Sequence, residues 1–540
     1  MTENISQAIS EKKIAFFKWK QNGRPPDPNN PFTIKKKITT SSLRKQCRVE
    51  AALHRIQERQ KIIDARYNDP ALFYSLIKKQ RGKLSRFIEE LTVDEEIFQS
   101  PVNVMKGWNK HFGDLAKKSN NNSFDTKYLN SIEKEATHII KMCKDKYKHQ
   151  EITTGEIKKA VSKLNTNKAE DFYGFAEHFI HGSESLLQHL QQLLNVCFKF
   201  CFIPDLLKIG TLFPVFKNKG DIKNAKNYRG ITITPTYSKI IENILKGREN
   251  PKIIISQNPL QKGFTEGTSP LICELFIEEF ERESKYLKLP VYIALLDGKS
   301  FFDVVVHANL IRRFGGRVGN INCCAPKCAD DVTLVSNNPL ELQTMINIAL
   351  DFSKREGYLL QPTKSVVIPV KTCRKFYEIE DGFWKLNGKN MPIVPNASHI
   401  GIQKSDKDSA DTTVNENIKK ARRAMYSLMG TGLPSKTSIS LIRIYILPIL
   451  TYGLELLLPK GKILYNISIQ YKKWIKQILS LNSNVADSAV YTLSGLLPIE
   501  AEIHVKAINL FGKISRAKCD SIEWRLAERQ LQIKPHNSHS

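Results

Sequence analysis

Six consecutive apolar residues run from Val291 to Leu296 and end in an acid, Val291-Tyr-Ile-Ala-Leu-Leu-Asp297. A short unbroken apolar run of this kind reads as a buried strand, and its acidic last residue places one carboxylate at the end of that strand. A second acidic site stands beside another apolar run, in Cys328-Ala-Asp330-Asp331-Val-Thr-Leu-Val335. Neighbouring residues of a straight strand point to opposite faces, so Asp330 and Asp331 converge only where a hairpin turn twists the backbone. Either site alone is the ordinary strand-end Asp of a turn.

The surrounding pattern supplies a setting for both sites. Short apolar runs at Gly210–Phe216, Ile231–Thr234 and Pro290–Leu296 predict strands. Helical periodicity fills Ser185–Phe202, Tyr237–Leu245, Leu271–Glu283 and Leu340–Arg355, and Thr154 with Ile157, Val161 and Leu164 predicts a capped helix start. The mixture predicts an α+β domain with a small sheet. After about Ile402 the pattern is mainly helical. Ile418, Ala421, Met425 and Leu428 share one helix face, with Lys419, Lys420, Arg422 and Arg423 around its other sides. Such a helix is either a core helix with a wet back or one that lies along a phosphate backbone.

Charge narrows the partners. The chain has 540 residues, with 82 Lys+Arg against 54 Asp+Glu, a net charge of +28. A surface this basic repels itself until a polyanion neutralises it, so nucleic acid is the first candidate and an anionic membrane face the second. The first 90 residues are the most basic part, with 20 Lys+Arg against 9 Asp+Glu. From Arg44 to Lys83 basic and apolar positions alternate at helical spacing, which predicts basic amphipathic helices, either solvated or acting as a phosphate-contacting arm. Pro25, Pro26, Pro28 and Pro31 break any helix near the start. Asn120 to Ser123 reads as a linker, and the tail after Ser515 is polar.

Other classes drop out. Ten Cys in 540 residues are too few for a disulfide scaffold. The start, Met1 to Lys20, lacks the apolar core of a signal peptide. The greasiest run, Ile444–Leu454, is eleven residues, short of the ~20 a membrane helix needs. The expectation is an intracellular protein of nucleus or cytoplasm, neither secreted nor membrane-bound. Cys323, Cys324 and Cys328, and Cys197 with Cys201, lack a partner pair at zinc spacing and read as reduced thiols. Lys217-Asn-Lys-Gly-Asp221 lacks the spacing of a phosphate loop. His307, four residues after Asp303, reads as a structural contact.

Four motifs occur in order: Tyr228-Arg229-Gly230-Ile231-Thr232, Leu260-Gln-Lys-Gly-Phe-Thr-Glu-Gly267, Asp297–Asp303 and Cys328-Ala-Asp330-Asp331. Together they resemble the reverse transcriptase of LINE-type (non-long-terminal-repeat) retrotransposons, from Asn167-Lys168-Ala169, near Ile152, to about Ile514. The resemblance implies a right-hand polymerase fold of fingers, a palm with a small antiparallel sheet, and a helical thumb. Residues 1–150 would be a basic helical N-terminal region, 151–402 fingers and palm, 403–515 the thumb and following segment, and 516–540 a polar tail. It implies that Asp297, Asp330 and Asp331 are catalytic and hold two Mg²⁺ ions, hard cations that suit oxygen ligands. Phe302 would exclude a ribose 2′-hydroxyl. Arg229, a bidentate donor, would contact the nucleotide triphosphate, with Lys217 and Lys219 assisting and Lys364 near the leaving pyrophosphate. His399-Ile400-Gly401 resembles the hairpin that grips the primer, and Leu447-Pro-Ile-Leu-Thr-Tyr-Gly453 falls in the thumb region. RNA template, DNA primer and dNTP are the implied partners.

The departures from the family are specific. Only residues 304–329 separate Asp303 from Asp330, and no Gln-Gly…Ser-Pro segment is found there. The deletion centres near 314–320, where Arg312-Arg-Phe-Gly-Gly-Arg317 runs into Val318. A palm sheet so shortened is expected to lack one supporting helix and to leave apolar surface uncovered. Phe301 replaces a small residue, Asp171 and Tyr173 stand where Gly and Asp are frequent, and Cys328 stands where an aromatic is common. No nuclease constellation accompanies the polymerase motifs. The expectation is an RNA-directed DNA polymerase impaired by loss of its mid-palm, or a non-catalytic nucleic-acid-binding remnant or assembly protein derived from one.

Overall fold

A computed structural model of the chain describes residues 3–69, 72–73, 76, 88–117, 121–146, 149–165, 171–174, 176–299, 327–328, 331–372, 379–429 and 433–533. The chain is mainly helical, with small antiparallel sheets, and divides into two compact units. One combines residues 1–85, 419–449 and 470–496, and the other combines 86–418, 450–469 and 497–540.

The first unit contains two long N-terminal helices, Glu3–Gln21 and Pro31–Asn68. The proline-rich stretch separates them, as expected, and Pro31 itself occupies the first turn of the second helix, where its missing N–H costs nothing. Asn30 caps that helix by accepting the Phe32 N–H. The Lys36 ammonium sits 3.3 Å from the Trp19 ring centroid and ties the two helices together. Further along, Ile442–Ile446 winds as a π-helix just before Pro448.

The second unit is built around a four-stranded antiparallel sheet in the order Val366–Val370, Val291–Leu296, Asp331–Ser336, Lys327–Cys328. Alternation along Val291–Leu296 decides what each face meets. Val291 and Ile293 pack with Ile277 and Phe280 of the helix Pro270–Tyr286. Tyr292, Ala294 and Leu296 pack with Leu342 and Ile346 of the helix Pro339–Glu356. Both faces of the central strand are therefore covered, and Val291, Ile293 and Ala294 have no exposed surface. This corrects the expectation of an uncovered sheet. The helix before the central strand supplies one layer and the helix after Ser336 the other.

Local boundaries shift for identifiable reasons. The helix expected from Thr154 is capped one residue earlier by Thr153, because Glu156 stands three residues after Thr153 and completes a reciprocal capping box. That helix ends at Val161, so Leu164 lies beyond it. The strand expected at Ile231–Thr234 spans Tyr228–Ile233, which brings Arg229 into a ladder opposite Val215. The helix expected to stop at Leu245 continues to Ser256. Among the described residues no helix is long and apolar enough to cross a membrane.

Candidate functional site

The central strand ends at Leu296, paired with Val332. One step further in that antiparallel register, Asp297 comes level with Asp331, the first residue of the neighbouring strand. The Asp297 backbone is fixed on both sides. Its N–H donates to Ser365 Oγ at 3.1 Å, and its carbonyl accepts the Gln361 N–H at 2.9 Å. Its carboxylate is 45% exposed, and Lys364 Nζ lies 3.9 Å away, at the outer limit of an ion pair. Asp330 and Phe302, with Phe301, Asp303 and His307, lie outside the described residues, as does the side chain of Asp331. Among the described residues no group of three His, Cys, Asp or Glu side chains is arranged to hold a metal.

Arg229 lies on a separate two-stranded hairpin, Thr211–Phe216 with Tyr228–Ile233. One face of this hairpin is anchored. Tyr228 and Phe216 join a core with Leu91, Val104 and Trp108, and the Tyr228 and Trp108 rings meet edge to face at 4.8 Å. Gly230 lies on this face because a Cβ there would stand 2.9 Å from the Phe112 ring. The opposite face carries Arg229 with Phe213, Val215 and Ile231, all exposed. Lys217 leaves the same hairpin, and its ammonium donates to the Lys226 carbonyl at 2.8 Å. Lys219 is exposed beside it.

The helix Ser409–Met429 has the expected two-sided character. Val414, Ile418, Ala421 and Met425 are buried, while Lys419, Lys420, Arg422 and Arg423 are exposed. His399 has a different environment from the one the sequence suggests. It is 4% exposed, with Nδ1 2.8 Å from Glu274 Oε2 and Nε2 2.9 Å from Thr333 Oγ1. Both ring nitrogens are thus engaged inside the protein; on this hairpin Asn396 and Ser398 are exposed, and the turn at Ile400 and Gly401 is half-buried. Gly401 has φ +88°, and a Cβ there would stand 3.1 Å from the Tyr452 ring. The Tyr452 hydroxyl donates to the Ile400 carbonyl at 2.9 Å.

Two charged centres escaped the sequence reading. Asp171 is buried, and its carboxylate accepts from the N–H groups of Tyr173 and Gly174 and from both the N–H and the hydroxyl of Thr236. Burial alone would raise its pKa, but these hydrogen bonds outweigh it and hold the carboxyl below the usual range. Asp171 thereby anchors the start of the Thr236–Ser256 helix. The second centre is Lys404, which is fully buried with its ammonium between Glu274, Glu278 and Glu281. Burial opposes its charge, but the carboxylates prevail and push the ammonium well above its ordinary value. Burial likewise pushes Glu281 up to about 7, while Lys404 and His399 hold Glu274 below its usual range against the same burial effect. The available signal was the spacing of Glu274, Glu278 and Glu281, which places them on one stripe of the helix.

No family model matches the chain. A stretch of 132 residues is 26% identical to the Retrovirus-related Pol polyprotein from type-1 retrotransposable element R2 of Popillia japonica. That stretch is 24% of this chain and 18% of the relative, so the chain matches less than a fifth of that protein's length. A solved structure of apo telomerase from Candida Tropicalis aligns over 89% of this chain and 98% of its own at 10% identity, with a TM-score of 0.25. A TM-score of that size carries no argument about the fold. The sequence match is a weak relationship to a retrotransposon Pol polyprotein.

Proposed function

We propose that the chain is an RNA-directed DNA polymerase of LINE type that retains its grip on RNA and RNA–DNA duplex and is impaired in nucleotidyl transfer. One observation carries the reading. Two acidic residues, Asp297 and Asp331, stand at facing ends of adjacent antiparallel strands, with Lys364 beside the first. Acidic residues at such strand ends, with the Asp297 carboxylate nearly half exposed, fit a hard cation's need for oxygen ligands and open positions. Asp297, Asp330 and Asp331 would hold Mg²⁺, which when bound supplies activation of a 3′-hydroxyl and stabilisation of a leaving pyrophosphate.

The chain's own residues do the rest in this reading. Arg229, on the open face of its hairpin, offers a planar fork to a triphosphate. Lys364 contributes a point charge near the leaving group, and Phe302 a steric gate. Lys419, Lys420, Arg422 and Arg423 contact the phosphate backbone of template and primer. The domains then follow as fingers and palm over 151–402 and thumb over 403–515.

The short spacing between Asp303 and Asp330 favours a second reading, a binding remnant without chemistry. Primer extension on an RNA template with Mg²⁺ separates the two from a working enzyme. No extension under multiple turnover is expected. Traces of single-turnover extension, lost in Asp297→Asn, support the impaired polymerase, and none at all with duplex binding intact supports the remnant. Robust extension abolished by Asp330→Asn would refute the impairment.

A further inference from the structure

The first helix meets the helix Pro31–Asn68 at Lys36, whose ammonium lies over the Trp19 ring. Ile38, two residues on, is turned about 160° away from that contact. Ile38 is 62% exposed, Val49 52%, Leu53 49% and Ile56 57%. Every residue from Ala51 to Gln57 is exposed, and the helix is covered again at Ile62 and Ala65. A helix open on all sides lacks the packing that ordinarily stabilises one.

The exposed residues are ordered. Ile38, Ser42, Lys45, Val49, Ala52 and Ile56 follow at spacings of four and three in strict alternation, the seam of a coiled coil. Val49 and Ile56 are β-branched and share one of the two seam positions, an arrangement that favours two-stranded pairing. Gln46 and Leu53 line one edge of the seam, and Arg48 and Arg55 the other. Lys45 stands within it. Neither the seam nor its edges carries an acidic residue between Ile38 and Ile56. Among the described residues Lys45, Arg48 and Arg55 have no ion-pair partner.

Charge and pattern together select the occupant. A second copy would set Lys45 against Lys45 in a parallel pair and arginine edge against arginine edge in an antiparallel one, and both arrangements repel. A phosphate backbone would neutralise the cations and leave Val49, Leu53 and Ile56 in water. A membrane surface takes a helix with a broad apolar face and bulky anchors, whereas this seam is narrow and holds Ser42 and Lys45 in its middle. A helix with an apolar seam and acidic edges buries the exposed aliphatic side chains and sets carboxylates against all three cations.

We propose that the face Ile38–Ile56 docks an acidic amphipathic helix of a partner protein in coiled-coil fashion. The proposal does not depend on the nucleotidyl-transfer reading, because the face lies on the N-terminal helices of the other unit.

The test uses the full chain and two synthetic helical peptides, both with leucine and isoleucine along the seam. One carries glutamate on its edges and the other lysine. Affinity is measured together with amide hydrogen exchange of residues 38–56. The acidic peptide should bind and slow that exchange, and the basic peptide should do neither. Val49→Ser combined with Ile56→Ser should weaken acidic-peptide binding by about tenfold or more. Lys45→Glu combined with Arg48→Glu and Arg55→Glu should reverse the preference, so that the basic peptide binds and the acidic one does not. A gain of that kind does not arise from misfolding. Failure of the acidic peptide to bind overturns the proposal, as does equal binding of both peptides or binding indifferent to Val49→Ser with Ile56→Ser. The same exchange and affinity measurements with an RNA duplex, with phosphatidylserine vesicles and with the chain alone at rising concentration test the other occupants. Stronger protection of 38–56 by one of these, lost in Val49→Ser with Ile56→Ser, assigns the face to that occupant and overturns the acidic helix.

Discussion

Glu156 performs two jobs with one carboxylate, and its replacement gives a sharp test of the electrostatics. It completes the capping box by accepting the Thr153 N–H at 2.9 Å, and it takes Arg248 Nε and Nη2 at 2.7 and 3.0 Å. Arg248 extends the link by donating to the Gln150 and Glu151 carbonyls. The side chains are 15% (Arg248) and 31% (Glu156) exposed, so the pair is only partly screened. The Arg248 hydrogen bond, helped by those from Thr153, lowers the Glu156 pKa to about 2 from 4.5. A shift of that size corresponds to about 3 kcal/mol, which solvent screening reduces to about 2 kcal/mol. The folded pKa lies below the unfolded one, so this stability is present above pH 4.5 and is lost as pH falls through about 2. Glu156→Gln should therefore destabilise the core of Ile157, Leu194 and Ile240 by about 2 kcal/mol at pH 7. Amide exchange over 157–161 and 240–244 reads this locally, without assuming that the whole chain unfolds in one step. Equal protection in the variant and the unmodified chain at pH 7 refutes the reasoning, as does a difference that survives undiminished at pH 2.

Three further outcomes are expected. Gly453→Ala adds a Cβ 2.7 Å from Ile402 at φ +77°, so it should cost about 1–3 kcal/mol, measured as a lower thermal midpoint with faster exchange at Ile402. Asp171→Ala removes two hydrogen bonds from the start of the Thr236–Ser256 helix and two from the turn at Tyr173 and Gly174, and should lower stability by about 2–3 kcal/mol, seen as lost protection over 236–241. Replacing Lys419, Lys420, Arg422 and Arg423 by Gln should weaken RNA binding and flatten the slope of log affinity against log salt by about 3, measured by titration from low to high salt.

Much of the fold was legible because it is written locally. The apolar run Val291–Leu296 forms the central strand, and the helical periodicity of Leu271–Glu283 and Leu340–Arg355 falls within the helices Pro270–Tyr286 and Pro339–Glu356. What escaped was non-local. Lys404 reads as a surface lysine until its three carboxylates, more than a hundred residues earlier, are folded onto it. His399 suggests a contact residue, yet its two ring nitrogens face a glutamate and a threonine on two other elements. The sheet's second cover was misjudged for a related reason. The helix that covers one face precedes the central strand in the chain, whereas the expectation looked for it afterwards. Of the candidate site, the spacing of Asp297 and Asp331 was readable, and their relation to each other required the strand register.

The division into two units has a consequence for how the protein is made. The first unit gathers its residues from 1–85, 419–449 and 470–496, with residues 86–418 synthesised in between. A ribosome adding roughly 5–20 residues per second needs about 20–70 s to cover that interval. During that time the N-terminal helices emerge without the later segments they need to complete their unit, carrying the densest positive charge of the chain. A nascent chain in this state presents its basic helices to the nearest polyanion, which at the ribosome's exit is ribosomal RNA.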